Sequence, residues 1–210
     1  MRAYSYVVAR DFGFAPNPYF GFCTLATCKP MIRGYASTGD WVIGTGAKIK
    51  YNFAGRLIFA MQVSEVLDFN AYWDDPRFLL KRPYLNGSLK AIYGDNIYHE
   101  SNNQWMQADS HHSFEGGSPN QANIDNDTSQ NRILVGTKFV YFGNQAPVIP
   151  KEFRSFKGED ICKSHSGHKI LQGPIVTAFV CWLEEKGRWG VQGEPLEFKR
   201  HQRFVSPILP

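Results

Sequence analysis

The run Arg56-Leu57-Ile58-Phe59-Ala60-Met61-Gln62-Val63-Ser64-Glu65-Val66 predicts the fold more clearly than any other stretch of this sequence. It is almost continuously apolar, which is typical of a strand whose side chains are covered on both faces. The preceding Asn52-Phe53-Ala54-Gly55 has the residue types of a turn and leads into the strand. The sequence therefore predicts a fold built around a central, buried strand.

Other segments carry a similar β signal because they are rich in β-branched and aromatic residues. They are Tyr4–Ala9, Gly39–Gly46 and Ile133–Phe142. The glycines of 39–46 lack dinucleotide-binding spacing, and they favour a tight bend or a close backbone approach to a ligand. Cys23–Ile32 is compatible with either a strand or a short helix broken at Pro30.

Two helices have clear local signals. Asp68 is placed to cap a short helix that Asp75-Pro76 ends. Pro174 opens a second helix, Ile175–Lys186, whose apolar residues share one face and which Gly187 ends. The predicted fold class is α+β, with a β-rich mixed or barrel-like sheet, a C-terminal helix and a long polar loop.

Length and composition indicate a single globular domain, 1–210. The chain has 43% hydrophobic residues, 15% aromatic residues and a net charge of +4. This mildly basic balance is compatible with nucleotide phosphate, and it is weaker than the footprint of a dedicated duplex binder. No apolar run reaches the roughly 20 residues of a membrane span. The first ten residues lack a signal peptide's apolar segment, so we expect a cytoplasmic protein with no membrane contact.

The cysteine pattern argues against a disulfide framework, since a cytoplasmic protein keeps its thiols reduced. The cysteines are Cys23, Cys28, Cys162 and Cys181. The alternative is a zinc site combining Cys23 and Cys28 with Cys162 and His165, but the five-residue spacing of the first two is not that of a zinc knuckle. We therefore expect separate thiols, no metal ligands and no cofactor.

A polar run in the middle of the chain predicts a functional pocket. It extends from Gly94-Asp95-Asn96-Ile97-Tyr98-His99 to Asp109-Ser110-His111-His112-Ser113. A histidine beside a carboxylate is the commonest acid–base pair at neutral pH. The predicted catalytic residues are accordingly Asp95, His99, Asp109 and His112, with Asn96 and His111 as ligand-binding neighbours. The alternative is a loop whose polar groups satisfy one another.

Cations and aromatic rings elsewhere suit a phosphorylated base. Basic side chains contact phosphate, and ring faces stack on bases. The residues predicted to bind the ligand in this way are Arg10, Asp11, Trp41, Trp73, Arg77, Lys81 and Arg82. For Arg10 and Asp11 the alternative is a local ion pair that pins the loop, and for the cations near residue 80 it is a solvated turn.

Two further segments are polar. Residues 113–132 are rich in Gly, Ser, Pro, Asn and Asp, and they are predicted to form a lid. Asn123, Asp125 and Asp127 lack the calcium-loop pattern, so a plain turn-rich loop is the preferred interpretation. Residues 199–203 form a basic tail, which is a phosphate contact or a solvated segment.

Several motifs resemble the nucleotide modification associated domain family, type two. They are Tyr4–Pro18, Gly39–Gly46, Tyr72-Trp73 with Asp75–Phe78, Lys81-Arg82-Pro83, Gly94–His99 and Asp109–Ser113. The resemblance covers most of the chain. It implies an α+β fold and a place in bacterial and bacteriophage pathways that make or handle modified DNA bases. A fainter similarity of layout, in Gly39–Val42, Leu57–Val66 and Tyr72–Pro76, is to PUA and EVE barrels that read modified bases.

These observations predict a protein of DNA or nucleotide base modification that binds a nucleotide or modified nucleobase and acts on it by His/Asp chemistry. DNA itself is a further expected partner. One alternative is a non-catalytic reader of modified bases, and another is an accessory protein whose polar run only stabilises a loop. The reaction and the oligomeric state stay open.

Overall fold

The computed structural model describes residues 1–199, apart from the side chain of Tyr51, as a mixed α+β fold. The strands are β1 (Arg2–Val8), β2 (Cys23–Leu25), β3 (Trp41–Gly46), β4 (Leu57–Gln62), β5 (Glu65–Leu67), β6 (Tyr98–Ser101), β7 (Gln104–Gln107), β8 (Ile133–Gly136), β9 (Lys138–Tyr141), β10 (His168–Gln172) and β11 (Gly190–Val191). The α-helices are α1 (Pro30–Tyr35), α2 (Lys48–Tyr51), α3 (Phe69–Asp74), α4 (Leu89–Ile92), α5 (Gln121–Thr128) and α6 (Pro174–Lys186). Short 3₁₀ helices span Pro76–Lys81, Glu115–Gly117, Gly143–Gln145 and Lys151–Phe153.

A six-stranded mixed sheet organises the molecule, in the order β10-β1-β3-β4-β9-β11. β1 and β3 are parallel, whereas β4 is antiparallel to both β3 and β9. The predicted central strand is thus β4, and every residue from Leu57 to Met61 is fully buried. This confirms that both of its faces are covered, as its continuous apolar sequence predicted.

The longest predicted β segments each divide between two sheets, which corrects the expected single strands. β4 and β9 lie in the six-stranded sheet, whereas β5 and β8 belong to a three-stranded sheet of order β2-β8-β5. Ser64 lies between β4 and β5, and Thr137 lies between β8 and β9. These two positions are hydrogen-bonded, since Ser64 Oγ accepts from the backbone N–H of Thr137 at 2.9 Å and lies 3.2 Å from its Oγ1. β6 and β7 form a separate hairpin. None of the sheets in residues 1–199 closes into a barrel, so that part of the expectation is wrong.

The helix predictions from local signals are confirmed. Asp68 caps α3 by accepting a hydrogen bond from the Ala71 N–H at 2.7 Å. α6 begins at Pro174 and ends at Gly187, whose φ of 59° is the left-handed conformation that glycine adopts without strain. The ambiguous segment 23–32 contains both elements, namely β2 and the start of α1.

The predicted lid, residues 113–132, is not an irregular loop. It contains α5, which starts where the Asn120 side chain accepts from the Asn123 N–H at 3.3 Å. All four cysteines are free thiols. No helix within the described residues is long and apolar enough to cross a membrane. Most of the basic tail, from Arg200 on, lies outside the described residues.

Candidate functional site

A cavity of about 250 Å³ lies where β1 ends, and we call it the aromatic cavity. The loop after β1 places Phe12 and Phe14 on its wall, and Tyr6 of β1 contributes a third ring. The His111 ring packs against the first two, with ring centroids 4.5 Å from Phe12 and 5.3 Å from Phe14. The cavity is therefore bordered by several ring faces and edges.

Two cations also border the aromatic cavity. Arg10 has a side chain that is 58% exposed, and its Nε is 3.0 Å from Oε1 of Glu197. Its guanidinium also lies 4.8 Å from the centre of the Phe12 ring. Lys29 Nζ lies 4.8 Å from the centre of the Tyr6 ring. The cavity thus combines aromatic walls with positive charge, as a site for an anionic, ring-bearing ligand requires.

A thiol, an imidazole and a carboxylate form a chain of contacts at the same cavity, and we call them the triad. Cys28 Sγ lies 3.8 Å from His112 Nε2, and His112 Nδ1 lies 2.8 Å from Asp127 Oδ2. Cys28 and His112 line the cavity, whereas Asp127 is fully buried behind them. The imidazole therefore bridges an accessible sulfur and a buried acid.

Helix α5 holds His112 in place from two positions. Asn123 Nδ2 donates to the His112 carbonyl at 2.7 Å, and Asp127 contacts the ring. Residues four apart lie on the same face of a helix, so these side chains reach the same histidine. The Phe14 ring covers the imidazole, with centroids 4.7 Å apart. The orientation of His112 is thus fixed by both its backbone and its ring.

Arg33 of α1 joins the two backbone segments of the triad. It is fully buried, and its Nε donates to the Cys28 carbonyl at 2.9 Å. The same guanidinium donates to the carbonyls of Asp127 and of Gln130, the latter at 2.8 Å. Burial lowers the pKa of Arg33 to about 10, so the side chain is still a cation at neutral pH. Arg33 therefore fixes Cys28 relative to the end of α5.

Two members of the triad, His112 and Asp127, are charged at neutral pH. Burial alone would lower the pKa of His112, but the hydrogen bond to Asp127 and the contact with Cys28 outweigh it and raise the pKa to about 9. Burial alone would raise the pKa of Asp127. The hydrogen bonds from His112, Cys28 and Tyr98 outweigh it and hold the pKa of that carboxyl below its ordinary value. An imidazolium and a carboxylate are therefore the stable forms.

Among the residues that the structure describes, the triad has ligand atoms within 4.8 Å of one another, which is close enough to hold a metal ion. However, Asp127 Oδ1 accepts from the Cys28 and Asn126 nitrogens at 2.8 and 3.0 Å. Its Oδ2 contacts His112 Nδ1 and accepts from the Tyr98 hydroxyl at 3.0 Å. Coordination of a metal by this carboxylate would break some of these hydrogen bonds. Without Asp127 only Cys28 and His112 of the triad remain as ligands, fewer than the three protein ligands that a catalytic zinc usually has.

Within residues 1–199, the predicted site residues lie at several separate places rather than around one cavity. Arg10, His111 and His112 line the aromatic cavity. Asp95 and Lys81 are instead buried in a second cluster, the interior network, with Thr24 and Tyr72. Its bonds run from Lys81 Nζ to Thr24 Oγ1 at 2.9 Å, from Thr24 to Asp95 at 2.6 Å, and from Tyr72 to Asp95 at 2.8 Å.

A third location holds more of the predicted residues. Trp73 stacks on His99 with ring centroids 4.1 Å apart, and the Arg82 guanidinium lies 3.9 Å from the Trp73 ring centre. Arg77 is exposed and pairs with Glu65 and Asp75 at 2.9 and 2.6 Å. These residues contact one another and their neighbours on the surface around α3.

The remaining predicted residues lie elsewhere in the fold. Trp41 is buried in the main core, and Asn96 is buried with its amide donating to the Tyr72 carbonyl at 3.0 Å. Asp11 is buried and accepts from the hydroxyl of Tyr141. Asp109 accepts from Ser113 Oγ at 2.9 Å within a turn. None of these four contributes to the lining of the aromatic cavity in the described chain.

Sequence reasoning missed Cys28 and Asp127. The spacing of Asn123 and Asp127 was visible, but it was considered only for a cation loop. The position of Cys28 just before Pro30 gave no sign of its partner, since His112 is 84 residues further on. Phe12, Phe14 and Lys29 were likewise unassigned, although an aromatic loop after a strand is a usual place for binding side chains.

The fold and the cavity define a mixed α+β protein with one aromatic, basic pocket beside a histidine–carboxylate pair. The family model for nucleotide modification associated domain 2 matches residues 1–202. The chain therefore belongs to this family, which confirms the resemblance seen in its motifs and links it to nucleotide modification. No curated protein and no solved structure is significantly similar to it.

Proposed function

We propose that this protein binds a nucleotide or nucleobase, free or within DNA, in the aromatic cavity and acts on that base. The observation that carries the proposal is the meeting of Phe12, Phe14 and His111 with Arg10 and Lys29 at one cavity. Membership of the nucleotide modification family supports the same substrate class. The proposal replaces the predicted ligand set around Lys81 and Trp73 with this one.

In the proposed complex the base stacks on the rings and the phosphate meets the cations. Stacking of a base on an aromatic side chain contributes about 1–3 kcal/mol. The cavity volume of about 250 Å³ is slightly below that of most drug-sized pockets. It therefore suits a single base or nucleoside, with the phosphate at the mouth beside Arg10. That phosphate would compete with Glu197 for the guanidinium.

His112 is the proposed acid–base residue. It lines the cavity, and Asp127 fixes its ring through Nδ1 while leaving Nε2 on the side of Cys28. A pKa of about 9 makes His112 a proton donor at neutral pH, which suits a reaction in which charge develops on a ring atom of the base. Of the predicted catalytic residues, the proposal retains His112 alone.

A reader of modified bases is the second candidate, and the aromatic lining favours it equally. The two functions differ in what His112→Ala does. An enzyme keeps nucleotide affinity and loses turnover, because the imidazole acts on the transition state. A reader has no turnover in any variant, and its affinity follows the rings.

Binding is tested by thermal unfolding with the common deoxynucleoside monophosphates and their 5-substituted pyrimidine analogues. A ligand present at a hundredfold its dissociation constant adds about 2.7 kcal/mol to the free energy of unfolding. Phe14→Ala should remove most of that increment, whereas Trp73→Ala, at the third location, should retain it. Absence of stabilisation by every nucleotide, or its loss in Trp73→Ala but not in Phe14→Ala, would contradict the proposal.

A further inference from the structure

We infer that Cys28 is a covalent nucleophile, that the His112 imidazolium holds the proton beside its sulfur, and that Asp127 positions His112. The inference rests on the proposed function for the identity of the ligand, while the nucleophile itself can be tested separately. The sulfur, the two ring nitrogens and the carboxylate lie in sequence, with 3.8 Å from Sγ to Nε2 and 2.8 Å from Nδ1 to Oδ2. This is the arrangement in which a base activates a thiol and a third group orients the base.

Cys28 differs from the other thiols in its surroundings. Cys23 and Cys162 are buried, and burial raises the pKa of both, that of Cys162 to about 11. Cys181 is exposed on α6. Cys28 is half-buried at the cavity wall with a histidine nitrogen in hydrogen-bonding reach. An imidazolium next to a sulfur stabilises the thiolate, which is the reactive form.

The backbone at Cys28 is held in an unusual conformation. Cys28 and Lys29 have φ angles of 56° and 44°, in the left-handed region that non-glycine residues rarely occupy. The Cys28 N–H donates to Asp127 Oδ1 at 2.8 Å, and Arg33 binds its carbonyl. These bonds hold a costly conformation, which aims the thiol at His112, and such strain is concentrated at functional sites.

The sulfur also borders a second depression, of about 360 Å³, which Asn126 and His168 help to line. A base in the aromatic cavity and a water or amine acceptor in this depression would approach Cys28 from two sides. That geometry is suited to a transfer in two steps, in which the acceptor replaces the enzyme sulfur after the first product has left.

The substrates expected for this nucleophile contain a carbon at the oxidation level of a carboxylic acid, which is the atom that Cys28 attacks. Such a carbon occurs in an amide, an ester or the amidine unit of a nucleobase ring. The Cys28 sulfur attacks as the thiolate, with the proton already on the His112 imidazolium, and a carbon–sulfur bond forms while the π electrons of C=O or C=N move to the oxygen or nitrogen. When the double bond re-forms, the leaving nitrogen or oxygen departs with the proton of His112. Water or an amine, deprotonated by His112, then displaces Cys28. No electrons are gained or lost.

The test measures alkylation of each cysteine by chloroacetamide, with peptide mapping by mass spectrometry. Cys28 should react at least about tenfold faster than exposed Cys181, because the neighbouring imidazolium favours the reactive thiolate. His112→Gln should lower the Cys28 rate about tenfold, without changing that of Cys181. Circular dichroism identifies folded variants, and Asn123→Ala provides a second, milder perturbation of His112.

A second probe separates the inference from the proposed function. A 2′-deoxyuridine carrying a 5-chloroacetamidomethyl group should label Cys28 faster than chloroacetamide does, since binding raises its effective concentration. Rapid labelling of Cys28 by both reagents at equal rates would refute base binding and leave the nucleophile standing. If Cys28 is no more reactive than Cys181 and unaffected by His112→Gln, the nucleophile is wrong. Stoichiometric zinc whose removal lowers the melting temperature would make Cys28 a metal ligand instead.

Discussion

The triad and the interior network each contain a buried aspartate with hydrogen-bonded polar neighbours, but of these two groups of described residues the triad is the one that lines the aromatic cavity. In the interior network Lys81 Nζ has four acceptor atoms within 3.1 Å, and both Asp95 oxygens accept from hydroxyl groups. In the triad Asp127 is equally saturated, but Cys28 Sγ and His112 Nε2 meet at a cavity wall. The comparison shows that a polar sequence can indicate a cluster of polar side chains. Whether that cluster can act on a ligand depends on whether it borders a cavity.

The largest expected effect breaks the interior network. Lys81→Met should lower the free energy of unfolding by about 3–5 kcal/mol, because it leaves Asp95 and several carbonyl oxygens buried without their cation. Urea denaturation measures this, and Lys151→Met on the exposed surface is the matched control, with a change within about 0.5 kcal/mol. A loss below about 1 kcal/mol would mean that the network does not stabilise the fold as described.

The second effect is the pH dependence of stability in the triad. The pKa of His112 is about 9 in the folded protein against an ordinary 6.5, so its stabilisation is complete below pH 6.5 and is lost as pH rises through 9. The shift corresponds to about 3 kcal/mol. The groups facing the ring are Asp127, Cys28 and His111. Urea denaturation from pH 6 to 10 should show the fall in the unmodified protein and not in His112→Gln.

The interior network should respond to pH with the opposite sign, which sharpens the comparison. Burial lowers the pKa of Lys81 from 10.5 to about 8, although Asp95 opposes this. The unfolded chain then binds more protons than the folded one between pH 8 and 10.5, so this contribution to stability rises with pH. Lys81→Met should therefore steepen the fall attributed to His112. An unchanged slope in both variants would refute the assignment of the two pKa values.

The smallest expected effect concerns the support that α5 gives to His112. Asn123→Ala removes the bond to the His112 carbonyl and should cost about 1 kcal/mol in the free energy of unfolding. Asp125→Ala, on the exposed side of the same helix, is the matched control for helix propensity. If Asn123→Ala changes neither stability nor the pH dependence due to His112, α5 does not position that residue.

Local signals in the sequence predicted much of the fold. The cap at Asp68, the helix from Pro174 to Gly187 and the buried strand β4 depend on neighbouring residues, which a sequence displays directly. The division of two β segments at Ser64 and Thr137 depends on contacts 73 residues apart, so neither segment reveals it. α5 was missed because its sequence, QANIDNDT, is rich in residues with low helix propensity.

The candidate site was predicted less completely, for a related physical reason. His111, His112 and Arg10 were proposed from the sequence because histidines and cations are side-chain types that often bind or act on phosphorylated ligands. Cys28 acquires its proposed role only from His112 and Asp127, 84 and 99 residues away. Asp95 and Lys81 were proposed for the same reason, since they are also titratable side chains. The sequence does not show that folding buries them. Burial and long-range partners therefore set the limit of prediction here.

The central claim, that the ligand site is the aromatic cavity, is tested most directly by photo-crosslinking with 5-iodo-2′-deoxyuridine monophosphate. A stacked halogenated base couples to the ring it touches, and peptide sequencing then identifies that ring. The account predicts crosslinks at Phe12, Phe14 or His111, which unlabelled nucleotide suppresses. Saturable crosslinks at Trp73 or His99, with none in the aromatic cavity, would contradict it.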